Sequence, residues 1–372
     1  MRPPATARIR ALLRLLALVG NLFATVAAAE PARVVNVYSW AEYFPAPILR
    51  KFEAETGIKV NYAVMDSNDV METTLSAGHS GFDLVTVNAS PHLGREIPKG
   101  LWQRLDKARL RNLANADPSI MKVLRRVDPQ NAFAIPWMWG TLGVMFNSDM
   151  VRARLRPGPI RVIDMVFKPE IVARFKDCGV TVLDSWVDVL PMLSSWLGQP
   201  ELSADPASLD ALAGAYRQIR PSIRRVTTSG YYQQLAQGES CVAIGYSGDA
   251  MIARRLVAEA GSDVKVEYAY PEGTVFIFVD SFAIPADAPH PDAAHLFIDF
   301  ALRPEIAAEA AAYIGFASGN AAAIPLLEPS MRENPAIYPP SAVRERFSMG
   351  RPYTADEERA FARAWLRMKT GH

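Results

Sequence analysis

At 372 residues and 40.9 kDa, the chain has about twice the length of an average domain, which predicts a two-lobed protein. Half of the residues are hydrophobic and 21% are charged, which excludes a disordered chain. Lysine and arginine total 40 against 39 acids, so bulk charge gives no pointer to nucleic acid, and 2 cysteines with 5 histidines exclude a structural zinc cage.

The first element is an export signal. Arg2, Arg8 and Arg10 form a positive front, Ala11 to Ala28 are apolar apart from Arg14 and Asn21, and Ala27-Ala28-Ala29 supply the small residues of a cleavage site. The unbroken apolar stretch is shorter than the roughly 20 residues of a membrane span. Residues 1–29 are therefore expected to be removed near Ala29 and the rest of the chain exported. No cysteine lies near that site, so a lipid anchor is not indicated. Cleavage takes four arginines and no acid, so the 40 basic and 39 acidic residues become 36 and 39, a formal charge of −3.

Val34 to Tyr38 reads as a strand ending at Ser39-Trp40. Pro45 and Pro47 open a helix with Ile48, Leu49 and Phe52 at helical spacing, and Gly57 stops it. Ile58 to Val64 alternates like a strand. Asp66, Ser67 and Asn68 offer an N-cap to a helix carrying Val70, Met71 and Leu75, which Gly78 closes, and Phe82 to Val87 is the next strand. Such alternation predicts βαβ units in a parallel sheet with helices on its faces. In the second half Cys241 to Gly245 and part of Val275 to Pro285 read as strands, and Pro291 to Leu302 as an amphipathic helix. There is no repeat, no low-complexity tract and no long linker, so several crossings between the lobes are expected. Ligands of open α/β sheets sit beyond the carboxyl ends of the strands. That rule marks Ser39–Tyr43, Asn88–Ser90 and Gly245–Asp249.

Export places Cys178 and Cys241 in an oxidising compartment, where two lone cysteines are expected to pair, closing a loop worth about 4 kcal/mol in the chain-entropy model. A catalytic thiol lacks a histidine nearby in sequence. Gly245-Tyr246-Ser247-Gly248-Asp249 follows a strand like a nucleophile elbow, but Asp249 stands where the second glycine belongs, and the next histidine is His290. A secreted serine hydrolase using Ser247 is thus the weaker alternative, and no enzyme is expected. Neither a phosphate loop nor a dinucleotide fingerprint is present, and His290 and His295 read as surface residues. No cofactor and no metal site are expected.

Acids and aromatics remain. Trp40, Glu42 and Tyr43 sit at the first strand end, Tyr246 and Asp249 at a later one, and Phe278 and Asp280 lie inside an apolar run. Each has a bland reading: Asp280 on an edge strand facing water, Asp249 as a helix cap, Trp40 as core. The strand-end rule gathers them at one cleft. Carboxylates with aromatic faces suit an organic cation, and two separated acids suit one with two charges.

The blocks Val35-Asn36-Val37-Tyr38-Ser39-Trp40-Ala41-Glu42-Tyr43, Phe52-Glu53-Ala54-Glu55-Thr56-Gly57-Ile58-Lys59-Val60, Gly81-Phe82-Asp83-Leu84-Val85 and Ala134-Ile135-Pro136-Trp137-Met138-Trp139-Gly140-Thr141 resemble the periplasmic polyamine-binding proteins of ABC importers. Cys241 to Asp249 and Arg332 to Pro340 are similar to the putrescine-binding branch. The resemblance covers essentially the whole chain after the signal. It implies an α/β, type II periplasmic binding protein fold, with a mixed, mostly parallel sheet flanked by helices in each lobe and the ligand between them. The expected division is 30–136 plus 270–312 for the first lobe and 137–269 plus 313–372 for the second. The ligand set it implies is Trp40, Ala41, Glu42, Tyr43, Ser90, Asp188, Thr228, Tyr246, Asp249, Phe278, Asp280 and Phe316, with a Cys178–Cys241 disulfide. Ala41-Glu42 replaces Ser-Asp of that branch, Tyr246 replaces Trp, Phe316 replaces Tyr and Asp188 replaces Glu. The implied function is a monomeric receptor that hands putrescine to a membrane-embedded permease. Spermidine, agmatine or 4-aminobutyrate are alternative cargoes, and signalling to a membrane sensor an alternative output.

Overall fold

The computed structural model describes residues 33–41, 43–155, 158–199 and 201–371. The export signal, its cleavage site and Glu42 lie outside them. Among the described residues eleven strands, β1 (Val34–Ser39), β2 (Lys59–Val64), β3 (Leu84–Asn88), β4 (Ala134–Asn147), β5 (Val180–Val182), β6 (Ile223–Val226), β7 (Val242–Tyr246), β8 (Val266–Ala269), β9 (Val275–Ala283), β10 (Ala317–Ser318) and β11 (Phe347–Ser348), join in one sheet, eight of them along a hydrogen-bonded path. Its order is β2-β1-β3-β9-β4-β7-β5-β6, with β8 and β10 on β4 and β11 on β9.

The fold is a two-lobed α/β arrangement. β1 pairs parallel with β2 and β3 at one end of the path, and β5 pairs parallel with β6 and β7 at the other. These are the predicted βαβ units. Between them the long strands β4 and β9 run antiparallel to each other, β9 antiparallel to β3 and β4 antiparallel to β7. β4 changes partner along its 14 residues. Ala134–Thr141 pairs with β9, while Leu142–Phe146 pairs with β7 and Val144–Asn147 with β8. β4 thereby belongs to both halves of the sheet.

Helices cover both faces. In α1 (Ala46–Thr56) Ile48 and Phe52 are buried, and Gly57 at φ 66° donates its N–H to the Glu53 carbonyl, a left-handed stop that glycine adopts without strain. In α2 (Asn68–Ser76) the Ser67 hydroxyl accepts the Val70 N–H at 3.2 Å while Met71 and Leu75 point inward. Further on are α3 (Trp186–Trp196), α4 (Ser247–Glu259), α5 (Pro291–Ala301), α6 (Pro304–Ile314) and α7 (Ala355–Thr370). The two-residue side-chain period of β1 sends Val35 and Val37 into a core with Phe52 and Phe297, and Tyr38 into the opposite core with Met71 and Leu75. A third core holds Val180, Leu190, Tyr216 and Ile244 of the other half. The chain after α6 contributes to more than one core. Ala323 and Leu327 pack with Phe52 and Phe297, whereas Phe361 and Trp365 of α7 pack with Leu190 and Tyr216.

Cys178 and Cys241 form the expected disulfide, with Cα atoms 5.6 Å apart, tying the approach to β5 to the approach to β7. His295 departs from its surface reading. It is 4% exposed in α5, and its Nε2 accepts the Asp106 N–H at 3.0 Å. It is a buried structural residue because α5 turns that side toward the loop after β3.

Candidate ligand-binding cleft

The strand ends meet at a cleft of about 340 Å³. Trp40 and Tyr43 follow β1, Ser90 follows β3, Tyr246 ends β7, and Phe278 and Asp280 come from β9. Asp188, from the first turn of α3, and Phe316, just before β10, complete the expected residues that line it.

Asp280 is 4% exposed. Its register opposite Asn88 of β3 and Met138 of β4 places it on a central strand, which removes the edge-strand reading. The Tyr43 hydroxyl donates to its Oδ2 at 2.5 Å and Asn88 Nδ2 donates to its Oδ1 at 3.3 Å. The buried Trp40 indole N–H faces the same carboxylate without completing a hydrogen bond. The Tyr246 hydroxyl donates to Asp188 Oδ2 at 2.8 Å. Asp249, in the first turn of α4, receives the Tyr231 hydroxyl, and the Tyr231 oxygen in turn accepts the Tyr246 N–H at 3.2 Å. Asp249 thus stands behind the lining residues and reaches them through tyrosines.

Three carboxylates are held by phenols, and among the described residues none has a cationic partner. Burial is the main cause of their raised pKa values: Asp280 and Asp249 are pushed up to about 6, and Asp188 is raised as well. The tyrosine hydrogen bonds pull the other way, without offsetting burial. Tyr43, Tyr231 and Tyr246 are raised well above the ordinary phenol range, so they stay protonated and act as donors. At neutral pH such a site carries negative charge that no cation among the described residues neutralises and that an incoming cation can.

The raised values fix a sign. Asp280 and Asp249 bind protons more tightly folded than unfolded, so their contribution to stability is complete below about pH 4 and is lost as pH rises through about 6. Cation affinity runs oppositely, because only the ionised carboxylates attract it. Between pH 5 and pH 7.5 the affinity for an organic dication is therefore expected to rise while this term destabilises the empty protein. Calorimetric titrations and melts across that range check both slopes.

Aromatic faces complete the wall. Tyr246 meets Phe278 edge-on at 5.5 Å between centroids, and Phe278 meets Phe316 at 5.2 Å. Two glycines make room for these rings. A Cβ on Gly140 would lie 2.5 Å from Phe278 Cε1, and one on Gly248 would lie 2.2 Å from Phe316 Cε1.

Ala41 and Thr228 are exposed and do not line the cleft; Thr228 follows β6. Asn68, Asn88, His92 and Tyr353 do line it, although none was in the expected set. Asn88 lies within a strand end that the topology rule marks, and its N–H donates to Asn68 Oδ1 at 3.2 Å. Tyr353 arrives from the C-terminal region with no local signal. Ser247 Oγ is buried, accepts the Thr141 N–H at 3.2 Å and bonds no histidine among the described residues. Asp69, Glu72 and His92 cluster beside the cleft, but Arg95 donates to all three, so a guanidinium occupies the position a metal would need.

Residues 48–339 match the bacterial extracellular solute-binding protein family. The chain is 40% identical to a putrescine-binding periplasmic protein of Pseudomonas aeruginosa, an alignment that covers 96% of this chain and 97% of that one. It is 38% identical to a putrescine-binding periplasmic protein of Escherichia coli, over 95% and 96% of the two chains. A spermidine/putrescine substrate-binding protein of an ABC transporter from Streptococcus pneumoniae has the same fold, with a TM-score of 0.78 at 24% identity, covering 91% of this chain and 99% of that one. Fold, strand-end cleft and these likenesses agree: the chain belongs to the bacterial extracellular solute-binding proteins.

Proposed function

We propose that this protein is a periplasmic, monomeric receptor that captures a polyamine, putrescine first among them, and delivers it to an ABC permease. The observation that carries the reading is a set of carboxylates, Asp280 buried and Asp188 and Asp249 half-buried, that have no cationic partner among the described residues and are faced by aromatic rings. Asp280 takes one ammonium end and Asp188 the other. Asp249 adds negative potential from behind Tyr231 and Tyr246. Trp40, Tyr43, Phe278 and Phe316 cover the methylenes and face the charge, each aromatic contact worth about 0.5–2 kcal/mol. The names of the relatives support this cargo. In this reading the lobes close on the ligand by bending where β4 changes partner, between Thr141 and Leu142.

Agmatine and spermidine share the ammonium logic. 4-Aminobutyrate needs a cation for its carboxylate, and no lysine or arginine is among the described residues that line the cleft. Thermal unfolding of ligand-stripped protein against putrescine, cadaverine, agmatine, spermidine and 4-aminobutyrate tests the reading. A ligand at about 100 times its dissociation constant adds about 2.7 kcal/mol and raises the melting point visibly. Stabilisation by a diamine is expected, and stabilisation by 4-aminobutyrate alone would overturn the assignment.

A further inference from the structure

Asp280, Phe278 and Phe276 alternate along β9, so they share one face of the strand, and all three line the cleft. Asp280 and Phe276 are separated by about 13 Å of extended chain, which puts Phe276 at the far end of the cleft from Asp280. Asp188 and Pro191, one helical turn apart on α3, also line the cleft. A second chamber of about 280 Å³ adjoins it, and Pro191, Phe276, Gly350 and Tyr353 are common to the linings of both. Phe278 and Asp280 do not line the chamber. It therefore lies past the end of the cleft that Phe276 and Pro191 close, remote from Asp280.

Tyr353 supplies a ring to that partition, and its surroundings hold the ring in place. It is 8% exposed, its centroid lies 5.9 Å from that of Trp186 and 5.1 Å from that of Phe361, and the Arg351 guanidinium sits over it at 4.9 Å. Phe276 and Tyr353 belong to the core that Phe361 of α7 builds with Leu190, so neither ring swings aside without breaking packed contacts. The chamber itself is balanced in charge. Arg126 pairs with Glu201 at 3.4 Å, Arg351 donates to Glu357 at 2.5 and 3.1 Å, and Glu201 and Glu345 line the chamber beside the arginines. Bulk, not charge, separates the two spaces.

We propose that Tyr353, together with Phe276, is a steric stop that sets the length of the bound cation: a diamine that spans Asp280 and Asp188 fits, and a longer chain runs into the two rings. This rests on the polyamine reading above and adds a specificity element to it. Discrimination comes from a clash built against the wrong ligand and not from an extra contact with the right one. In a channel open at its far end, each further methylene would bury apolar surface and improve binding, so a loss of affinity with length is the mark of a wall.

The test is calorimetric titration of the full signal-free protein with putrescine, hexamethylenediamine and octamethylenediamine, for wild type, Tyr353→Ala, Tyr353→Phe and Phe276→Val. All three ligands are dications, so length is the variable. Wild type is expected to lose affinity by about tenfold or more between putrescine and octamethylenediamine. Tyr353→Ala joins the cleft to the chamber and should raise the octamethylenediamine-to-putrescine affinity ratio by at least about fivefold, whereas Tyr353→Phe keeps the ring and should hold the ratio within about twofold of wild type. Phe276→Val opens the same partition from β9 and should move the ratio in the same direction, which covers the case in which loss of the tyrosine ring costs the fold. A wild-type affinity that does not fall with length overturns the stop. So does a fall that neither Tyr353→Ala nor Phe276→Val relieves, because the spacing of the carboxylates would then set the length. Binding of no diamine by wild type is a different result, and it would remove the polyamine reading itself.

Discussion

Asp280→Asn is expected to weaken putrescine binding by about 100-fold or more, because truncating one partner of a buried charge pair costs about 2–5 kcal/mol. Asp280 receives Tyr43 and Asn88 on its two oxygens and has no cationic partner among the described residues, so at pH 7 the incoming ammonium neutralises it. The same substitution is expected to leave the empty protein as stable at pH 7 or slightly more so. It removes a charge that burial disfavours, and asparagine keeps the size and the oxygen that accepts from Tyr43. Loss of affinity without loss of stability separates a ligand-binding carboxylate from a structural one. Titration calorimetry and a melt of the same variant check the pair of outcomes. An affinity within about threefold of wild type would be incompatible with the site described.

The second large effect concerns stability and not binding. Replacing both Cys178 and Cys241 by serine is expected to cost about 4 kcal/mol, the loop-closure term for a sequence separation of 63. The melting point should fall by several degrees. Putrescine affinity should be retained wherever the variant is folded. Cys241 precedes β7 at one end, and Tyr246 reaches the cleft at the other, about 16 Å away along an extended strand. Melts of the double variant with and without putrescine measure both quantities. Equal stability of oxidised protein and double variant would mean that the bridge constrains nothing in the unfolded chain.

Much of this was legible in the residues, for physical reasons. The first βαβ units carry capping, stop and alternation signals within a few residues of each other, and β1, α1, β2, α2 and β3 lie close to their expected places. The strand-end rule marks Trp40, Tyr43, Ser90 and Tyr246, and the fold joins them at one cleft: β1 and β3 run parallel to each other, β7 runs the opposite way across the antiparallel β9 and β4, and both sets of carboxyl ends line the cleft. β4 was not legible as a strand. Ala134 to Phe146 is buried almost throughout, so it lacks alternation, and Pro136, Gly140 and Gly143 imitate breakers. Pro136 sits at the register shift before Met138, where a missing N–H is tolerated, and Gly140 makes room for Phe278. Asp280 was ambiguous for a related reason. Whether an acid in an apolar run faces water or a cleft depends on which strands flank it, and β3 and β4 join β9 from far away in sequence. Tyr353 reaches the cleft through long-range packing of the C-terminal region, which no local pattern encodes.

In the proposed complex two carboxylates of the cleft, Asp280 and Asp188, hold the two ends of the dication. Titrating ligand-stripped protein with putrescine and then with n-butylamine, which has the same four carbons and one charge fewer, tests it most directly. One putrescine per chain is expected, with butylamine binding weaker by about 100-fold or more, since one carboxylate is left unpaired. Equal affinities for the two amines would contradict it.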